Sequence, residues 1–303
     1  MSTPTPIQQP ASHSALRHLV ARHPVAAFLV MLYAVNYALP LAPVLTRFDI
    51  LPFDEPLSGP LGHIFGVALP AFLVMAAMHG RAGVRDLAQR CLRWRVGARW
   101  YLFALLGVPI ATVLCASASF GLAPLNALVD KWPLLFTAVL PLLLFSIVSN
   151  GAEESGWMGF LQARLQDRYG PLKACGIVEV PFALFHLPDL LVGVDEGLIT
   201  LAELPLALGV LAIIQLFGRV VIMWLYNNTN RSVLLVMLFH ASYNVTTKGR
   251  GFGVFIPGPA SGFWIASGVV AVAAVLIVVL TRGRLSYKSN HVSPIAGAPL
   301  TKD

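Results

Sequence analysis

Residues 138–161 read AVLPLLLFSIVSNGAEESGWMGFL. The stretch is long enough to cross a bilayer, for which about 20 apolar residues are needed. It also carries two adjacent acids, Glu153 and Glu154. Read as a complete span, it places both carboxylates at membrane depth. Read as the end of a span, it leaves them as a charged patch in a loop. Apolar residues continue to Leu161, which favours the first reading.

The rest of the chain agrees. Of its 303 residues 57% are hydrophobic and 12% charged, where a soluble domain carries about 25% charged residues. The expectation is an all-α, polytopic membrane helix bundle. About eight spans are expected, near 25–46, 60–80, 100–121, 137–163, 172–188, 198–226, 231–247 and 262–281. The fifth and seventh are short, and suit a helix packed inside the bundle or a thin stretch of membrane. Residues 1–24 and 285–303 read as polar tails flanking a bundle over 25–284.

A net charge of +7 raises the question of nucleic acid. The basic residues, however, gather in short segments between apolar tracts, which is how membrane proteins set their orientation. Six arginines (Arg81, Arg85, Arg90, Arg93, Arg95 and Arg99) follow the second span. They read as a cytoplasmic loop, or alternatively as an amphipathic helix on anionic lipid. Both termini then lie in the cytoplasm, and the expected partners are membrane lipids, not nucleic acid. Cys91, Cys115 and Cys175 are too far apart for a disulfide framework or a thiolate zinc site. The first apolar run lacks a convincing cleavage site, so no signal peptide is expected. The absence of an organelle signal points to a prokaryotic plasma (inner) membrane.

Charged groups at membrane depth cost at least about 2.5–3.5 kcal/mol each and are functional candidates by default. They are Glu153, Glu154, Glu179, His186, Arg219 and His240, with Asn150, Gln215 and Asn244 as polar company. At about 1.5 Å per residue, Glu153 lies ~16 Å from Arg164, His240 ~13 Å from Arg231 and His186 ~20 Å from Lys173. Three spans therefore bring polar groups to a similar depth. His240 and Asn244 share a helix face, as do Phe182 and His186. Glu153 and Glu154 point about 100° apart, so one should serve chemistry and the other structure.

This set suits hydrolysis. A carboxylate in a partly dry cavity can take a proton from water. A histidine can orient that water, and a second histidine with an amide can donate to an oxyanion. Glu153, His186 and His240 would also make a zinc set. HExxH is absent, though, so spacing does not establish a divalent metal.

EESGWMGFLQARL, FALFHLP and SVLLVMLFHASYN, in that order, resemble the three motifs EExxxR, FxxxH and HxxxN/D of the CPBP intramembrane proteases. That family includes the type II CAAX prenyl proteases and bacterial proteins linked to bacteriocin self-immunity. The match covers residues 150–245. The resemblance implies an eight-helix bundle with a cavity open to the cytosol, and an endopeptidase acting on a membrane-associated protein or peptide, prenylated or plain. It makes Glu153 the water-activating carboxylate with His186 as partner. His240 and Asn244 would stabilise the oxyanion and Glu154 would support. The family is described both as metalloproteases and as glutamate-dependent proteases. One departure matters: the family's arginine falls at Met158. Arg219, about 10 Å deep from Asn227, could replace it as counter-charge to Glu154; otherwise Met158 marks weakened activity.

The plainer readings are a helix-end acid patch, a packing histidine beside Pro188, and His240 with Asn244 as interhelical glue. Phe182 reads as packing, and Glu179 as a supporting acid or an ion pair. Two other functions compete: a proton- or ion-coupled transporter, and an inactive relative that binds a membrane partner.

Overall fold

The computed structural model describes residues 12–38, 60–258 and 260–288, and among them every regular element is helical. We number the helices α1 (Ser12–Arg22), α2 (Pro24–Ala38), α3 (Ile64–Cys91), α4 (Ala98–Phe120), α5 (Ala123–Asp130), α6 (Leu135–Tyr169), α7 (Pro171–Phe185), α8 (Leu187–Asp195), α9 (Leu204–Asn228), α10 (Val233–Thr247) and α11 (Ser261–Thr281). Among the described residues six segments are long and apolar enough to span a membrane: α3, α4, α6, α7 with α8, α9 and α11. The protein is a polytopic α-helical membrane bundle.

The first expected span is partly outside the described residues, since 39–46 are not among them. Its visible part, α2, meets α1 at a bend of 102°. The expected tail at 1–24 therefore contains a helix. Leu16, Leu19 and Val20 give α1 an apolar edge, and Arg17 Nε donates to the Ala77 carbonyl at 3.0 Å. The expected loop after span two is shorter than read, with Arg93 and Arg95 in the connection at 92–97. Apart from a break at Gly80 (φ 59°), the helix continues through Arg81, Arg85 and Arg90 to Cys91. Gly83, Leu87 and Arg90 are buried along this stretch, so its arginine-rich sequence is one face of a packed helix. At the other end, Leu285 is fully buried, with its carbonyl bonded to Asn227 Nδ2 at 3.0 Å. The expected tail from 285 thus begins as packed chain.

The α10 helix has only 15 residues. It packs against α4, α6, α9 and α11, so protein surrounds it and it need not match the bilayer thickness. Its start is set by Ser232, whose Oγ accepts from Leu235 N at 3.3 Å while donating to the Arg93 carbonyl at 2.6 Å.

The α6 helix is amphipathic in the inverted sense. Ser146, Ser149, Asn150 and Glu153 are buried, at the spacing of one helix face. Leu144, Phe145 and Val148 on the other side are exposed. In a membrane, lipid solvates the apolar face and the polar groups must find partners inside the bundle. Close approach is secured by Gly156. A Cβ there would lie 2.6 Å from Val67 Cγ1 and 2.9 Å from the Val67 carbonyl oxygen. Gly156→Ala should therefore destabilise the bundle by about 1–3 kcal/mol. Thermal unfolding in detergent checks this, and an unchanged midpoint would mean that α3 and α6 are not in tight contact.

Candidate active site

Glu153 and Glu154 lie on α6 just before a π turn, Trp157–Gln162. Such turns shift helix register by one residue and concentrate at functional sites. Both acids are buried. As their 100° separation requires, they face different partners.

Glu154 faces His240 and Arg219. His240 Nδ1 is 2.8 Å from Glu154 Oε1, and Arg219 Nη1 is 4.0 Å from Oε2. Arg219 comes from α9 and is itself buried. Its Nη1 donates to Gln162 Oε1 at 3.2 Å, and its Nε lies 4.0 Å from Glu179 Oε2. The guanidinium stacks over Phe182 at 4.0 Å from the ring centroid, so Phe182 does more than fill space. One cation thus stands between two carboxylates. Met158, one turn after Glu154, is fully buried in the apolar core.

Glu153 faces a histidine that the motifs do not contain. His63 Nδ1, on the turn before α3 becomes regular, is 3.8 Å from Glu153 Oε2. The same nitrogen is 2.8 Å from Ser149 Oγ. Glu153 Oε1 has no hydrogen-bond partner among the described residues, and neither has Glu154 Oε2. Asn244 Nδ2 donates to Asn150 Oδ1 at 3.4 Å, bringing the second amide of the polar face to α10. The expected partner His186 has its Nδ1 3.1 Å from Asp189 Oδ2. Its ring sits edge-on to Phe182 and Phe185, with centroids 5.0 and 5.1 Å away.

His186 ends α7 for a reason visible in the chain. Pro188 has no N–H to offer the carbonyl four residues back, at Leu184. Tyr37 Oη on α2 donates to that carbonyl at 2.8 Å. Asn36 Nδ2 donates to the Phe185 carbonyl at 2.8 Å, and Tyr33 Oη to the Pro181 carbonyl at 2.7 Å. Three side chains of one α2 face therefore serve the end of α7 and place His186. Asn36→Leu combined with Tyr37→Phe should lower stability by about 1–3 kcal/mol, the cost of leaving those carbonyls without donors. An unaltered thermal midpoint would mean that water or lipid headgroups serve them equally well.

Glu153, His186 and His240 do not form a ligand set in this arrangement. Among the described residues no three His, Cys, Asp or Glu side chains converge as metal ligands. An apolar hollow of about 430 Å³ lies on the other flank of α10, against Ser242, Val245 and Thr246, and none of the candidate residues lines it.

A multi-pass membrane bundle with carboxylates and histidines gathered at its interior is the class that fold and site define. Within that class, residues 133–246 match the family model described as type II CAAX prenyl endopeptidase Rce1-like. Over this segment the chain is similar to the CAAX protease family. The matched segment contains all three motifs, whereas His63 and α2 lie outside it. No curated protein matches the chain.

Proposed function

We propose that the protein is an intramembrane endopeptidase that hydrolyses a peptide bond of a membrane-associated protein or peptide, with Glu153 activating the water. The observation that carries this reading is the division of labour in the glutamate pair. Glu154 is engaged by His240 and lies within 4.0 Å of Arg219. Glu153, inside the same buried polar cluster, makes no hydrogen bond among the described residues and is approached by His63 at 3.8 Å. A carboxylate so placed can accept a proton from water as that water attacks a carbonyl, and return it to the leaving amine. His240 presents Nδ1 to Glu154, which leaves its Nε2 edge for the substrate. When Nε2 carries a proton it can donate to the developing oxyanion, alongside the Asn244 amide. His186 can orient the water or the scissile carbonyl, with its ring held by Asp189.

The test is cleavage by the purified chain in lipid vesicles, against a panel of labelled peptides, prenylated and plain. His240→Ala should reduce cleavage by about 10²–10³-fold, the loss seen for oxyanion donors. Adding chelator to the same reaction reports on a metal. Cleavage of every peptide at equal rates with and without His240 would remove the proposal.

A further inference from the structure

His63 lies about 90 residues before the glutamate pair in sequence, outside the matched domain. Among the described residues it is nevertheless the histidine whose ring nitrogen comes within 4 Å of Glu153. The other two site histidines have Nδ1 directed elsewhere, His240 to Glu154 and His186 to Asp189. Ser149 and Glu153 stand one turn apart on α6, so one ring can address both. Nδ1 is also 3.3 Å from the Ser149 carbonyl oxygen. The ring therefore grips one edge of α6. Its other side meets Phe185, with centroids 5.8 Å apart, beside the break that holds His186. The His63 side chain is 24% exposed and that of Glu153 is 3%, so His63 forms the rim and Glu153 the floor. A π turn, Ile64–Ala68, starts at the next residue, just as another follows Glu154.

We propose that His63 is a positioning residue for Glu153: anchored on Ser149, it holds the carboxylate from the Oε2 side in the orientation that takes a proton from the reacting water. The inference rests on the proteolytic reading of Glu153. It is distinct from a serine triad. There a histidine joins nucleophile and acid through its two different nitrogens, whereas here Ser149 and Glu153 face the same one. Ser149 is an anchor, not a nucleophile. The expected effect is on geometry, because a misplacement of about 1 Å at a reacting group can reduce rate ~10²-fold.

The experiment uses the full chain in vesicles and whichever labelled peptide the wild type cleaves. His63→Phe should lower kcat about 10–100-fold with KM within about twofold. His63→Gln, whose amide can still donate to Ser149 or Glu153, should recover part of the loss. A wild-type kcat in folded His63→Phe overturns the inference. A second readout does not need activity. In thermal unfolding, the shifts of His63→Phe and Glu153→Gln should fail to add in the double variant by about 2 °C or more. Additive shifts overturn the inference even if no peptide is cleaved. Cleavage that survives Glu153→Gln would instead overturn the proteolytic reading, and the unfolding cycle would still judge His63.

Discussion

Arg219→Leu should be the most damaging single substitution for stability, at about 3–5 kcal/mol, because it leaves buried carboxylates without their counter-charge. Loss on that scale is a large part of the 5–15 kcal/mol that holds a typical domain folded. The guanidinium lies 4.0 Å from both Glu154 and Glu179, bonds Gln162 and covers Phe182. No other residue type offers this combination. Lysine has a single compact ammonium, so Arg219→Lys should keep charge but lose the fork and the stacked plane, giving an intermediate loss. The decisive comparison is with Glu154. Removing the acid as well, in Arg219→Leu with Glu154→Gln, should restore part of the stability lost by the first change. Unfolding midpoints in detergent for both singles and the double measure this coupling. Losses that simply add would show that Arg219 does not serve Glu154.

This pairing gives Met158 a physical meaning. On α6 the family pattern expects a cation one turn after the second glutamate. Here that position holds a fully buried methionine, and the nearest cation stands on α9. The charge is thus supplied from a neighbouring helix, and it also reaches Glu179 on α7. Three helices become tied through one buried group.

The glutamate pair, the α6 stripe and the shortness of α10 could be read from the chain because each has a period or a length. Ser146, Ser149, Asn150 and Glu153 repeat at helical spacing, and 15 residues cannot span lipid alone. Arg219 was legible because a cation in an apolar tract needs a partner. The arginines at 81–90 misled because charge density reads as a loop when the buried face, Gly83 and Leu87, carries so few apolar residues. His63 gave no signal: a lone histidine at the start of a span has no motif, and its partners lie 86 and 90 positions away. The contribution of α2 was hidden for a different reason. Tyr33, Asn36 and Tyr37 bind backbone carbonyls of α7, and a carbonyl has no sequence signature.

The two adjacent acids should separate cleanly by what they lose. Glu153→Gln keeps the shape of the side chain and gives up only the 3.8 Å approach to His63, so the midpoint should move by a few degrees at most. It removes the base, and kcat should fall by about 10²–10⁴-fold. Glu154→Gln should do the reverse. It replaces the charged acceptor of the 2.8 Å contact with His240 by a neutral amide and withdraws a charge from beside Arg219, so the unfolding midpoint should drop. Activity should fall less, through a misdirected His240 ring, and mainly in kcat. Measuring kcat and the midpoint on the same preparations decides the matter. Equal loss of activity in both variants with equal midpoints would mean that the pair acts as one unit. If Glu153→Gln loses stability while Glu154→Gln loses only turnover, the two roles are exchanged and Glu154 is the residue that meets water. The outcome turns on the one-residue offset between neighbours on a helix, which sends two identical side chains to different partners.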